Sequence, residues 1–231
     1  MIMKISILGG GLVGSQTALL ILLQDVANTV YLYDKDHTKA LGEVMDINQC
    51  MSVLNNEKKC ITNDNISIIE NSDIVIVAIG RRRIINQVRT DLFIPNKKDI
   101  VDVCNSIKTH APNAVILMVT NPSDDFAKLA RELTLCVVHP IGTDLDTARL
   151  RELIHMKTFT PRREITAYVS GEHGENMIIH GTDDVTAKEC ISIAINTISK
   201  KGATVYAPAM SIVNEVKKII EQHKKSEEKQ S

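Results

Sequence analysis

The chain alternates short apolar runs of strand length with longer segments in which apolar residues recur every three or four positions. The runs are rich in β-branched residues, and most contain few polar positions, as strands buried on both faces do. The predicted strands are Lys4–Leu8, Thr29–Tyr33, Asp73–Ile79, Ala114–Val119 and Leu135–Val138, and the predicted helices between them are Ser15–Val26, Lys39–Met51 and Asn96–Lys108. This alternation predicts an α/β fold in which a parallel sheet is covered by helices.

The pattern changes after residue 143, which predicts a first domain over 1–143 and a second over 144–231. The second part contains a predicted helix near Asp146–His155, a strand at Ile165–Ser170 and an amphipathic helix after Pro208. An apolar stripe at helical spacing runs along that last helix and needs a surface to pack against, for which a second copy of the chain or another partner is a candidate. The charged tail Lys224–Ser231 is expected to be frayed.

Charge and composition exclude several functional classes. The 231 residues include 27 Lys and Arg against 28 Asp and Glu, a formal net charge of −1. The chain therefore lacks the excess of positive charge that is typical of proteins that bind nucleic acids or membrane surfaces. The longest purely apolar runs, such as Ala18–Leu23, are far shorter than the about 20 residues that span a bilayer. The five cysteines are widely spaced and form no Cys-x-x-Cys pair, which predicts a reduced, cytoplasmic setting.

A glycine motif follows the first predicted strand directly. In Gly9-Gly10-Gly11-Leu12-Val13-Gly14, we expect Gly9 to form a tight turn, Gly11 to let the backbone approach a pyrophosphate, and Gly14 to let the helix lie close to the sheet. The amino end of that helix would hold the anion. Asp34 ends the second strand 20 residues after Gly14, the spacing at which a carboxylate binds an adenosine ribose. The motif predicts a Rossmann-type, doubly wound sheet that binds NAD rather than NADP, since Asp34 would repel a 2′-phosphate.

Further short motifs occur in the order of one enzyme family. The segment Gly171-Glu172-His173-Gly174 resembles the active-site histidine motif of the lactate/malate dehydrogenase family, and similar matches to that family lie at Arg89-Thr90-Asp91-Leu92, Thr120-Asn121-Pro122, Leu145-Asp146-Thr147-Ala148-Arg149 and Gly202-Ala203-Thr204-Val205-Tyr206-Ala207-Pro208-Ala209. The resemblance extends from Lys4 to about Ile220. It implies NAD-dependent oxidation of a small 2-hydroxy acid, in a chain expected to form homo-oligomers.

The resemblance also implies roles for individual residues. His173 would remove the hydroxyl proton, which suits a neutral imidazole with an ordinary pKa near 6.5. Asp146 would fix its tautomer and stabilise the imidazolium. Arg149 would bind the C1 carboxylate of the substrate, since the guanidinium fork matches a carboxylate, and Arg89 would polarise the reacting carbonyl. Asn121 would donate a hydrogen bond near that carbonyl or the nicotinamide ribose. The alternative for each is a surface ion pair or, for Asn121, a plain turn.

The residue six positions before the loop arginine sets the substrate in this family. That residue is Arg83 in this chain. In the family, an arginine at this position is found in enzymes that interconvert malate and oxaloacetate, a reaction of the tricarboxylic acid cycle. A glutamine there is found in enzymes that interconvert lactate and pyruvate. A second cation would pair with the second carboxylate of a dicarboxylate. Because Arg81, Arg82 and Arg83 are adjacent, a shift in register would change which residue does this, and a solvated basic loop is the alternative.

The substrate half is expected to be shortened relative to the family, because the chain stops after the helix that follows Pro208. This leaves three alternatives to malate dehydrogenase open: an L-lactate dehydrogenase, a non-catalytic NAD-binding remnant of the family, or an unrelated Rossmann oxidoreductase that does not need His173. No metal site is predicted, since His180 follows His173 without an evident third ligand.

Overall fold

The structure is a computed structural model that describes residues 3–81, 83, 84, 87, 89–174 and 176–228, except for the side chain of Arg89. A parallel sheet of six strands forms its centre, in the order β3-β2-β1-β4-β5-β6. The strands are β1 (Ile5–Leu8), β2 (Thr29–Tyr33), β3 (Lys59–Ile61), β4 (Ile74–Val77), β5 (Val115–Met118) and β6 (Val138–Pro140). The order reverses between β1 and β4, so this is the doubly wound Rossmann-type sheet that the sequence predicts.

Helices cover both faces of this sheet. Alternate strand residues belong to separate cores: Ile74 and Ile76 of β4 pack with α1 (Leu12–Leu23) and α2 (His37–Val53). Val75 and Val77 pack on the opposite face with α3 (Phe93–His110) and α4 (Ser123–Thr134). All four residues of β1 and of β4 are buried, which explains their continuous apolar sequence.

The last helix, α7 (Tyr206–Glu228), returns to the first core. The residues of its apolar stripe are buried against α1 and the sheet: Ile212, Val213, Val216 and Ile219. The expectation that a second copy or another partner covers this stripe is therefore wrong, because α1 of the same chain covers it. The helix also continues to Glu228, so the part of the tail up to that residue is helical rather than frayed, and residues 229–231 lie outside the described part.

In and around the six-stranded sheet, one predicted strand is displaced and two elements were not predicted. The predicted strand Leu135–Val138 is displaced, because α4 extends to Thr134 and Leu135 ends it in a left-handed conformation with φ 61°. The helix α4 itself was not predicted, although Asp124 and Asp125 in its first turn complement the positive end of a helix. The short strand β3 carries little apolar signal and was also missed.

The remaining elements form a smaller unit beside the sheet. Helices α5 (Thr143–Thr158) and α6 (Asp184–Lys201) pack with an antiparallel pair, β7 (Tyr168–Ser170) and β8 (Ile178–His180). The predicted strand Ile165–Ser170 is thus shorter than expected. Leu150, Val169 and Cys190 lie in the core of this unit. The division of the chain at residues 143 and 144 stays a prediction. Among the described residues, no helix has both the length and the apolar content that crossing a bilayer requires.

Candidate active site

The glycine loop lies at the carboxyl end of β1. Gly9 has φ 113°, a value that favours glycine, and its amide donates to the Tyr33 carbonyl at 2.7 Å. A Cβ atom on Gly14 would lie 1.9 Å from the carbonyl oxygen of Gly9. Glycine is therefore required at position 14 for α1 to start this close to β1, as the sequence motif predicts.

Asp34 follows β2 and lies beside this loop. Its Oδ2 accepts a hydrogen bond from the amide of Gly10 at 2.8 Å, and its Oδ1 accepts one from the amide of Asp36 at 3.0 Å. The Lys39 ammonium lies 3.9 Å from Oδ2. These contacts hold the carboxylate at the edge of the glycine loop, in the position from which an acidic side chain reaches an adenosine ribose.

A cavity of about 450 Å³ opens beyond the carboxyl ends of the strands, where the strand order reverses. Of the predicted site residues it brings together Gly11, Arg83, Asn121, Arg149 and His173. Among the described residues, the cations on its wall are Lys39, Arg81, Arg83 and Arg149. A concave surface with this charge concentrates small anions.

His173, which lines the cavity, forms an enclosed polar contact with Asp146. The Nδ1 atom of His173 is hydrogen-bonded to Oδ2 of Asp146, and the side chains are 6% and 1% exposed. The other oxygen of Asp146 accepts from Nη1 of Arg149 at 3.0 Å. Asp146 and Arg149 stand three residues apart on α5, so one face of that helix presents both groups. The pairing predicted for His173 and Asp146 is present in the structure, while their catalytic roles stay predictions.

The backbone of His173 is also anchored. Its amide donates to Oδ2 of Asp124 on α4 at 3.1 Å. The residue before α5, Gly142, lies directly against the imidazole, since a Cβ there would be 2.1 Å from Cγ of His173. Sequence reasoning assigned no role to Asp124 or Gly142. An acid in the first turn after Thr120-Asn121-Pro122 was the available signal for Asp124, but its partner lies 49 positions away.

Asn121 follows β5 and faces the same cavity. Its backbone carbonyl accepts from Nδ2 of the buried Asn96 at 3.2 Å, and Oδ1 of Asn96 accepts from the amide of Arg81 at 2.8 Å. Within the described part of the chain, Oδ1 of Asn121 is buried without a hydrogen-bond partner. A buried amide oxygen of this kind calls for a donor from a bound molecule.

The arginine-rich segment is described only in part. The Nε of Arg83 donates to the Gln87 carbonyl at 2.6 Å, which holds its guanidinium at the cavity. Arg89 begins a 3₁₀ turn over Arg89–Leu92, but its side chain lies outside what the structure describes, as do Arg82, Ile85, Asn86 and Val88. The role assigned to Arg89 therefore stays a prediction.

Two further titratable side chains, Cys190 and His180, lie in the smaller unit. Cys190 packs beneath α5, and its thiol donates to the Asp146 carbonyl at 3.7 Å. Burial, together with the nearby Asp146, raises the pKa of this thiol to about 11, so it stays uncharged at neutral pH. His180 lies on β8, where its Nε2 is 2.9 Å from the Ser170 hydroxyl and its ring stacks on Tyr168.

These residues fit a dinucleotide. The backbone at Gly11 is uncrowded, since a Cβ there would meet only Nζ of Lys39 at 4.0 Å. Asp34 stands at the end of the adjacent strand, and Asn121, whose buried Oδ1 has no partner in the described part of the chain, lines the cavity. Each of these groups offers a contact that a nucleotide with a pyrophosphate and two riboses would make.

Comparisons with known proteins agree with this site. A family model described as lactate/malate dehydrogenase, NAD binding domain, matches residues 3–140. The malate dehydrogenase of Archaeoglobus fulgidus is 30% identical over a gapped alignment of 236 residues that covers 95% of this chain and 78% of that protein. The L-lactate dehydrogenase of Acetivibrio thermocellus is 28% identical, in an alignment that covers 95% of this chain and 77% of that protein.

A solved structure gives the same result. The crystal structure of Cryptosporidium parvum malate dehydrogenase is 29% identical and superimposes with a TM-score of 0.86, over 93% of this chain and 76% of that one. Malate and lactate dehydrogenases match this chain about equally well, so the similarity leaves the substrate open. It does confirm the family, the fold and the cofactor: the chain belongs to the lactate/malate dehydrogenase family, whose members are NAD-dependent oxidoreductases of 2-hydroxy acids.

Proposed function

We propose that this protein interconverts malate and oxaloacetate with NAD, a reaction of the tricarboxylic acid cycle. One observation carries the proposal: Arg83 lines the same cavity as Arg149 and His173. A substrate with two carboxylates would pair with both guanidinium groups while its central carbon faces the imidazole. A monocarboxylate would leave one of these cations without an anionic partner, at a cost in desolvation.

His173 is the proposed acid and base. Because Nδ1 faces the Asp146 carboxylate, Nε2 is the nitrogen that exchanges a proton with the substrate. When malate is oxidised, Nε2 takes the hydroxyl proton, and Asp146 stabilises the imidazolium that forms. In the reverse direction the same nitrogen returns the proton to the oxygen. Proton transfer by a positioned group of this kind contributes about 10²–10⁴-fold to the rate.

Bound NAD would supply the hydride acceptor for malate oxidation and, in its reduced form, the hydride donor for oxaloacetate reduction. Gly9, Gly11, Gly14 and Asp34 are the residues that would hold its adenosine and pyrophosphate. Asn121 would contact the nicotinamide side through its side-chain amide, whose Oδ1 has no partner in the described part of the chain.

Arginine side chains orient the substrate in this proposal. The guanidinium of Arg149 has donors beyond the one used by Asp146, and these suit the C1 carboxylate. Arg83 would take the distal carboxylate, and Arg89 would polarise the carbonyl that becomes the alcohol. Asp146 thus serves two functions, because it steers His173 and holds the Arg149 fork in place.

Initial rates of NADH oxidation with oxaloacetate and with pyruvate, measured side by side, test this function. A higher kcat/KM for oxaloacetate supports it. A preference for pyruvate would reject the role of Arg83 and indicate an L-lactate dehydrogenase on the same chemistry. NADH binding by calorimetry with no turnover of either acid would contradict the catalytic proposal as a whole.

A cytoplasmic location and a homo-oligomeric state also stay predictions. The five cysteines, all in the described part of the chain, carry free thiols, as expected in a reducing compartment. Light scattering of the purified protein at several concentrations measures the association state.

A further inference from the structure

We propose that Asp124 is a positioning residue for the catalytic histidine: its carboxylate holds the backbone of His173 while Asp146 holds the ring. The inference rests on the proposed role of His173 as the acid and base. It adds a residue that the sequence motif around His173 does not contain, and it links the Rossmann sheet to the loop that carries the imidazole.

His173 lies in the loop between β7 and β8, outside both strands. The ladder between β7 and β8 ends at the pair Ser170 and Ile178, so His173 lies beyond the last paired residues. Gly171 and Gly174 flank it with φ 83° and φ 131°, values that favour glycine and leave the loop with a flexible backbone on both sides. Contacts from other elements must therefore fix where the imidazole stands.

Asp124 supplies such a contact. Its Oδ2 accepts the His173 amide at 3.1 Å, a hydrogen bond to a charged acceptor that is stronger than one between neutral groups. Asp124 lies in the first turn of α4, where the positive end of the helix favours an acidic side chain. The next helix after β5 thus reaches across to the histidine loop.

A neighbouring contact shows why Asp124 is the residue that matters. Lys128, one turn further along α4, forms an ion pair with Glu172 at 3.0 Å. Those side chains are 60% and 54% exposed, so solvent screens the pair and it contributes little. Asp124 is only partly exposed and binds the backbone of His173 itself. The two residues face the same loop from the same helix, which makes Lys128 a matched control.

Misplacement of the imidazole is expected to affect chemistry more than binding. The ring must meet the substrate oxygen within hydrogen-bond distance, and a displacement of about 1 Å can lower a rate by about 10²-fold. The cofactor contacts at Gly11 and Asp34 lie on other elements and should not change. The contribution of Asp124 therefore appears in kcat, with little change in NADH affinity.

The test compares Asp124→Ala, Asp124→Asn and Lys128→Ala with the natural protein, using kcat for oxaloacetate reduction and the Kd of NADH. We expect Asp124→Ala to lower kcat about 10- to 100-fold with a nearly unchanged Kd. Asp124→Asn keeps an acceptor oxygen, so its kcat should stay close to that of the natural protein. Lys128→Ala should retain full activity. If the alanine variant does not fold, Asp124→Ser, whose side chain suits a helix start but is shorter, replaces it and should lower kcat in the same way.

Two outcomes would overturn the inference. A kcat unchanged in Asp124→Ala, or in Asp124→Ser where the alanine variant does not fold, would show that the histidine loop does not need this contact. Equal losses in Asp124→Asn and Asp124→Ala would show that the acceptor oxygen is not what positions the loop. His173→Asn, assayed in parallel, separates these results from failure of the proposed function, because a fully active His173→Asn would reject the acid and base role itself.

Discussion

Gly142 and His173 are in direct contact, with no room for a methyl group between them: a Cβ at position 142 would lie 2.1 Å from Cγ of His173. We therefore expect Gly142→Ala to push the imidazole away from its place in the cavity. The variant should lose about 10-fold or more of kcat, because catalysis depends on the geometry of the reacting groups. Steady-state rates with oxaloacetate measure this loss.

Gly42 provides the matched control for that substitution. It lies in α2, and a Cβ there would meet nothing within 4 Å. Gly42→Ala should keep kcat and stabilise the protein by about 0.5–1 kcal/mol, since glycine is unfavourable within a helix. A Gly142→Ala variant as active as Gly42→Ala would contradict the close packing described for His173.

Substrate choice should depend on Arg83 more than on its neighbour Arg81. We expect Arg83→Gln to lower kcat/KM for oxaloacetate about 10- to 100-fold, because it removes a hydrogen bond to a charged group, worth about 1.5–3 kcal/mol. The kcat/KM for pyruvate should change less. Arg81→Gln should have a smaller effect, because the backbone of Arg81, rather than its exposed side chain, is tied to Asn96. A larger loss in Arg81→Gln would assign the distal carboxylate to Arg81 instead.

Asp34 should determine the preference for NADH over NADPH. Its side chain is 17% exposed and is held beside the glycine loop by the Gly10 amide. Asp34→Ser should lower kcat/KM for NADH and raise it for NADPH, because the charge that repels a 2′-phosphate is gone. Asp36→Ser, two residues away, keeps a residue that caps helices well and should leave the ratio unchanged. Equal ratios in Asp34→Ser and the natural protein would argue against the assigned role.

The stability of the smaller unit should depend on the ionisation of Asp183. This residue caps α6, and hydrogen bonds from Thr186 together with that of the Val185 amide lower its pKa from 3.8 to about 2. Its carboxylate therefore stabilises the fold above pH 3.8, and this contribution is lost as the pH falls towards 2. Asp183→Ala should be less stable at pH 7, with a difference that shrinks across that interval.

Urea unfolding at a series of pH values measures this change. Asp183→Asn serves as its control, since the amide keeps an acceptor at the cap but does not titrate. A stability difference between Asp183→Ala and the natural protein that stays constant down to pH 2 would contradict the assigned pKa.

Local spacing predicted much of the fold and site. The glycines of the first loop and Asp34 lie within one strand-helix-strand unit, and Asp146 and Arg149 lie on one helical turn, so the chain order alone places them. The partners that link distant segments could not be read in this way. Asp124 and Gly142 contact His173 across 49 and 31 positions, and only the packing of α4 and α5 around the loop brings them there.

The stripe on α7 illustrates the same difference. Periodicity showed that Ile212 and Val216 must be buried, but it could not identify what covers them. The covering surface is α1, nearly the whole length of the chain away. The strand predicted at Leu135–Val138 is displaced to Val138–Pro140, since α4 continues to Thr134 and Leu135 ends it in a left-handed conformation.

The rate of oxaloacetate reduction by His173→Asn tests the central claim most directly, with NADH affinity measured on the same preparation. We expect kcat to fall by about 10²–10⁴-fold while the Kd of NADH stays nearly the same, because asparagine cannot transfer the proton. His180→Asn, which changes the histidine of β8, is the control and should remain fully active. A His173→Asn variant that turns over oxaloacetate at the rate of the natural protein would contradict the account.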